Sequence, residues 1–344
     1  MRKLTGKCKW ILAVLIVAVS MAAGCNKTKA TGVNADDIDG GADIDTVDYT
    51  ALSSGVTVTL NTSYYSTITS GSTTHQIKNI ENVTGSSAAD FIVGDSNKNT
   101  FHGNDGSDIL YGGANDDELY GEDGNDRLRG GSGDDLLSGG NGIDTADYSD
   151  ATEDLTVDIN DGIHVISTSQ GTDTFNSIEG VIGGSGNDKL TGNTKANTLI
   201  GNNGNDILDG AGTSGSASTV EYDYLDGGLG TDSVSYKDFT SAVTINLGLT
   251  YDNVSDIHNF DASSVKDYQN AGAAGNIRIL DVENLEGGSA NDTLIGNASS
   301  NELKDGSGED ILRGKDGNDS LDGGADKDLL EGAEGSDTIN GGSD

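Results

Sequence analysis

The sequence predicts an all-β chain: a right-handed parallel β-roll, or β-solenoid, built from glycine/aspartate-rich nonapeptide repeats in three modules. Three observations carry this. A nine-residue unit recurs 20 times across 344 residues, with Gly at position 1 and often at 2 and 4, an acidic or amide residue at 6 and mostly an aliphatic one at 8. The chain has 52 Gly, no Pro, one Trp and only 33% hydrophobic residues, too few for a conventional globular core. Between the runs of nonapeptides lie alternating segments such as VTVTL at 56–60, which read as strands of period two.

The N-terminus has a basic stretch with Arg2, Lys3, Lys7 and Lys9, followed by an apolar run from Trp10 to Ala23. That run is short for a transmembrane helix and has the form of an export signal over 1–24. Its end, Ala22-Ala23-Gly24-Cys25, resembles the lipobox of bacterial lipoproteins. The resemblance implies that Cys25 is lipidated and anchors the chain to a membrane, with residues 25–30 as a tether. The alternatives are an ordinary signal peptide or an uncleaved anchor. Loss of residues 1–24 takes away four basic residues and Cys8, leaving a net charge of −42 and no free thiol. No disulfide framework or cysteine metal site is then expected. A chain so acidic repels nucleic acid and must be neutralised in order to fold, for which cations are the natural agent.

The first module, 31–147, opens with two units centred on Asp36 and Asp45 and contains an unbroken array over 85–147. Position 6 of that array is Asp90, Asn99, Asp108, Asp117, Asp126, Asp135 and Asp144; position 8 is Ile92, Phe101, Leu110, Leu119, Leu128, Leu137 and Ala146. The second module, 148–235, has an array over 183–235 with Asp188, Asn197, Asp206, Asp223 and Asp232 at position 6, one unit being lengthened by an eight-residue insertion. The third, 236–344, has an array over 287–344 with Asp292, Asn301, Asp310, Asp319, Asp328 and Asp337. In each unit, glycine permits the tight turn and the aliphatic residue of a very short strand points inward. Two units make an eighteen-residue coil with a strand on each side. Coils stack, so position 6 of unit n lies beside position 6 of unit n+2, about 4.8 Å away. The pairs are 90/108, 99/117, 108/126, 117/135, 126/144, 188/206, 197/223, 206/232, 292/310, 301/319, 310/328 and 319/337. Carboxylates that close repel until a hard cation sits between them. Oxygen ligands in a flexible turn suit Ca²⁺ better than Mg²⁺ or Zn²⁺. Pairs containing Asn99, Asn197 or Asn301 have one charge fewer and are expected to be weaker sites. The competing reading is that many of these Asp residues only cap turns.

The units resemble the haemolysin-type calcium-binding nonapeptides of the repeats-in-toxin family. The resemblance implies a β-roll with multiple calcium ions, held by the position-6 residues. Toxin activity in that family belongs to separate domains, which the repeats do not supply. Its usual one-step export through a C-terminal signal is not expected of a chain with an N-terminal signal.

The spacers repeat as well. Segments 45–61, 144–160 and 232–248 each place a tyrosine (Tyr49, Tyr148, Tyr236) seven residues before an alternating strand. Each leads to an acidic approach to the next array, containing Glu81, Glu179 or Glu283. The strands are expected to continue the solenoid or to cover its end, and the tyrosines to pack against a coil end rather than to bind a ligand. Array starts at 85, 183 and 287 leave no segment long enough for a catalytic domain. The four His form no HExxH pair, no GxSxG elbow exists, and paired carboxylates have no specificity in so acidic a chain. The expectation is a non-enzyme: an exported calcium-binding protein of the bacterial envelope, cell surface or extracellular space. It is expected to fold on calcium, serve structure or adhesion, and display a surface to a polysaccharide or protein ligand. The alternatives are a polysaccharide-acting secreted enzyme and a calcium-dependent accessory binding subunit.

Overall fold

A computed structural model describes residues 18–20, 37–62, 66–70, 73–160, 162–163, 165–166, 169–193, 195–210, 222–249, 269–270 and 276–343. Asp36, Cys25, the tether and all of the export signal except Ala18–Ser20 lie outside them. Every described regular element is a β-strand. The chain divides into two compact units, Met1–Asp147 with Asp161–Ile178, and Tyr148–Asn160 with Glu179–Asp344.

The nine-residue spacing dictates the pairing in the first unit. One parallel row runs Val56–Thr59, Phe91–Val93, Ile109–Ala114, Arg127–Ser132, Thr145–Asp147. The facing row runs Thr46–Asp48, Asn82–Thr84, Thr100–Asp105, Glu118–Asp123, Leu136–Asn141, Thr174–Asn176. Within the array the register advances by one eighteen-residue coil, as in Leu110 opposite Leu128 and Phe101 opposite Leu119. Each strand turns one side chain inward. Val58, Ile92, Leu110, Leu128 and Ala146 stack from one side and Val47, Val83, Phe101, Leu119 and Leu137 from the other, all fully buried. Each large aliphatic rung contributes about 1.5–3 kcal/mol, so the core is a one-dimensional sum of rungs. The five strands from Thr100–Asp105 to Leu136–Asn141 are longer than positions 7–9 alone: in Ile109–Ala114 pairing continues into the turn, with Gly113 opposite Gly131. The hairpin Ser66–Ser70 and Thr73–Lys78 extends the first row antiparallel, and Ala18–Ser20 lies antiparallel on Thr46–Asp48.

The second unit repeats the plan. Its longest row runs Thr156–Asp158, Lys189–Thr191, Ile207–Asp209, Ser233–Ser235, Asn284–Glu286, Glu302–Lys304, Ser320–Asp322, Thr338–Asn340, all parallel. Val157, Leu190, Leu208, Val234, Leu285, Leu303 and Leu321 form its buried ladder. The insertion does not break the register, because Thr198–Ile200 pairs with Tyr222–Asp226 across 26 residues instead of 18.

The structure decides between the two expectations for the spacers. Val56–Thr59, Thr156–Asp158 and Thr244–Asn246 each pair in parallel with the first strand of the array that follows, so they continue the solenoid. Tyr49, Tyr148 and Tyr236 are buried to within 2%. Each tyrosine carbonyl accepts the N–H three residues on, forming a turn that tucks the ring inward. They are core residues.

Candidate metal centres

Asp108 shows how a turn is built. Its Oδ1 accepts the backbone N–H of Asp90, one coil earlier, at 2.7 Å. Its Oδ2 is buried and accepts no hydrogen bond. That oxygen lies against Gly103, position 1 of the same unit, where a Cβ would overlap it and also press on the carbonyl oxygen of Gly121. Position 1 is therefore glycine because the space next to it holds a carboxylate oxygen and a carbonyl oxygen. Gly124, at position 4, has φ +144°, and a Cβ there would collide with the carbonyl of Gly106.

The same bond joins every pair foreseen from the spacing. In the first array the N–H groups of Asn99, Asp108, Asp117 and Asp126 reach Oδ1 of Asp117, Asp126, Asp135 and Asp144 at 2.7–2.8 Å. In the second, Asp188, Asn197 and Asp206 reach Asp206, Asp223 and Asp232 at 2.7–2.9 Å. In the third, Asp292, Asn301, Asp310 and Asp319 reach Asp310, Asp319, Asp328 and Asp337 at 2.8–3.1 Å. The second oxygen of Asp117, Asp126, Asp135, Asp206, Asp232, Asp310, Asp319 and Asp328 is, like that of Asp108, buried without a hydrogen bond. An unsatisfied buried carboxylate oxygen is costly and rare in a native fold. Its recurrence turn after turn, beside a carbonyl oxygen, fits a hard oxygen-seeking cation of the Ca²⁺ kind.

Not every position-6 residue is of this kind. Asp90, Asp188 and Asp292 open their arrays with both oxygens engaged. Their Oδ1 atoms accept the N–H of Val56, Leu155 and Val243, and their Oδ2 atoms accept the N–H of Ser86, Gly184 and Gly288. These three cap turns. Asn99, Asn197 and Asn301 also close on themselves. Oδ1 accepts the N–H of the position-2 residue at 2.8–3.0 Å, and Nδ2 donates to the carbonyl of Glu81, Glu179 or Glu283 at 2.7–3.2 Å.

Three further residues join the stack: Asp173, outside the nine-residue register, and Glu81 and Glu283, which fall in it nine residues before Asp90 and Asp292 but without the glycine of position 1. Asp173, 38 residues after Asp135, takes its N–H at 2.9 Å. Glu81 does the same for Asp45, whose own two oxygens are buried and accept nothing, and Glu283 does so for Asp232. Asp305 stands where the repeat has Gly at position 1, a departure visible in the sequence. It completes a buried group with Asp292 and Asp310 whose ligand oxygens lie within 4.8 Å of one another.

The electrostatics follow from burial. It pushes the carboxyls of Asp108, Asp117 and Asp206 up to about 7, with neighbouring aspartates adding to the rise. Asp126, Asp135 and Asp310 rise to about 6 for the same reasons. Asp305 is pushed upward by burial and then by Asp292 and Asp310.

Stacked turns with buried, hydrogen-bond-free oxygens, spaced one coil apart, define a cation-binding solenoid. Five segments, 84–119, 111–146, 182–214, 286–321 and 313–344, match the family model of the RTX calcium-binding nonapeptide repeat. These segments are RTX nonapeptide repeats, and calcium binding is the property of that repeat family. No curated protein matches it. Among solved structures, the crystal structure of the extracellular lipase LipA from Serratia marcescens is similar at 16% identity, over 58% of this chain and 37% of the lipase, with a TM-score of 0.19. The chain thus spans little more than a third of that protein's length, and a likeness this slight carries no argument about fold or activity.

Proposed function

We propose that this chain is an exported calcium-binding protein of the bacterial envelope or surface, anchored through Cys25, non-catalytic, and structural or adhesive in role. One observation carries the reading: a buried, hydrogen-bond-free Oδ2 recurs in successive stacked turns. In the proposal Asp108, Asp117, Asp126, Asp135, Asp206, Asp232, Asp310, Asp319 and Asp328 hold calcium through that oxygen. Position-1 carbonyls, such as that of Gly121, complete the shell. Asp45, Asp144, Asp223 and Asp337 are secondary candidates, whereas Asp90, Asp188 and Asp292 act mainly as caps. Bound calcium supplies the positive charge that the buried, clustered carboxylates of these turns call for, so ion uptake and folding are one event. The three arrays are proposed to fill as separate blocks, the first two beginning with a capped Asp and an Asn turn that need no ion.

The test is circular dichroism of residues 26–344 during a calcium titration, with magnesium as control. A cooperative gain of β signal on calcium alone, near 10⁻⁴ to 10⁻³ M, is the expected result for an extracellular module. A chain fully folded in chelator would sink the proposal. Anchoring is checked separately: Cys25→Ser should release the protein from the membrane fraction.

A further inference from the structure

At the start of the first two arrays, position-1 Gly85 and Gly183 make room for the Oδ2 of their own unit's aspartate, Asp90 or Asp188. At the start of the third array, that place against Gly287 is taken by both oxygens of Asp305, which comes from the next coil. Across the three arrays, Asp305 is the sole position-1 residue that is not glycine. The exchange is matched, because a Cβ at 287 would collide with the Asp305 carboxylate. Asp292, Asp305 and Asp310 are 1%, 5% and 1% exposed. Asp292 has both oxygens engaged, by Val243 and Gly288. Asp305 Oδ1 accepts the N–H of Gly306 at 2.9 Å and Asp310 Oδ1 that of Asp292 at 2.8 Å. The Oδ2 atoms of Asp305 and Asp310 remain buried without any hydrogen bond.

We infer that Asp292, Asp305 and Asp310 form a divalent-cation site of a different kind from the other turns, with three carboxylates in place of two, which fills first and seeds the third array. The inference rests on the reading that the repeat turns bind calcium. Ligand charge and rigidity set calcium affinity in oxygen sites. Here the added carboxylate is fixed by the backbone of Gly306 and by the space at Gly287. A third negative charge also favours a trivalent ion over a divalent one by simple Coulomb attraction.

The experiment is calorimetric titration of the full-length chain with calcium, and then with terbium, alongside Asp305→Gly and Asp305→Asn. Glycine restores the residue that every other array unit has, and asparagine keeps the shape while removing the charge. The wild-type chain should fill one class of site at on the order of tenfold lower free calcium than the remainder, with a still larger lead for terbium. Both variants should lose that class and keep the remainder. If all three chains show the same first step, the three-carboxylate site is refuted while the calcium reading of the repeats stands. If the wild-type chain takes up no calcium at all, both fall together.

Discussion

The second turn of each array and the third are built to one plan and closed by different means. Asn99, Asn197 and Asn301 carry an amide that donates to a backbone carbonyl one coil earlier. Asp108, Asp206 and Asp310 place Oδ1 there, which accepts the N–H of the preceding coil's aspartate, and their Oδ2 is left buried without a donor. One atom separates the two chemistries. An amide finishes its turn with the chain's own groups, whereas a carboxylate there needs a cation or a proton. The contrast teaches that the residue at position 6 sets which turns the chain satisfies by itself and which leave a buried oxygen open.

The harshest challenge to this contrast is to withdraw the ion. In chelator at pH 7.5, hydrogen exchange should accelerate most around Asp108–Asp144 and Asp310–Asp337, and least at the Asn turns and the spacer strands paired to them. Uniform loss of protection would abolish the distinction.

A pH titration probes the same difference in metal-free protein. Asp108, Asp117 and Asp206 hold their protons up to about 7 when folded. The unfolded chain releases them near the ordinary value of 3.8. Their folded pKa is raised, so the folded state binds more protons in between. Stability without calcium should therefore fall as pH rises from about 4 to about 7, and stay low above that. Calcium must displace those protons, so its affinity should rise over the same window. Melting temperatures measured with and without chelator at pH 4.5 and 7.5 decide this.

Exchanging the two residues tests the contrast at one site. Asn99→Asp removes the donor to Glu81 and sets a carboxylate against a carbonyl, and it should destabilise the metal-free roll by about 1–3 kcal/mol. Calcium should recover most of that. Asp108→Asn should remove one ion from the calorimetric stoichiometry and lessen the calcium dependence of melting. The smallest change is expected on the outer face. Lys98→Ala breaks the exposed Lys98–Glu118 pair and should alter stability by less than about 1 kcal/mol.

Much of this was legible in the nine-residue spacing. Its period of 18 fixed the strand register and the position-6 pairs, and the single apolar residue per unit marked each rung of the core. The sequence does not say which atom meets which. That Asp90 is a saturated cap and Asp108 is not depends on what lies on the preceding coil: the strand from Val56 in one case, another turn in the other. Asp173 escaped because a spacer separates it from Asp135, so no period links the two. Asp305 lies outside the acidic position of the repeat, and its signal is a missing glycine at position 1.

Along the strands Phe91–Val93 to Leu136–Asn141 of the first array, positions 7 and 9 face away from the buried ladder, and stacking sets each beside its counterpart one coil on. In the first unit this brings His102 flat against Tyr120, Arg129 over Tyr111, and Arg127 with Arg129 onto Asp147. Every outward side chain thus has a fixed address on a grid whose spine is specified separately by Gly, Asp and Leu. Such a grid can be rewritten one square at a time, and the pattern it presents can drift while the scaffold beneath is held constant by its ions.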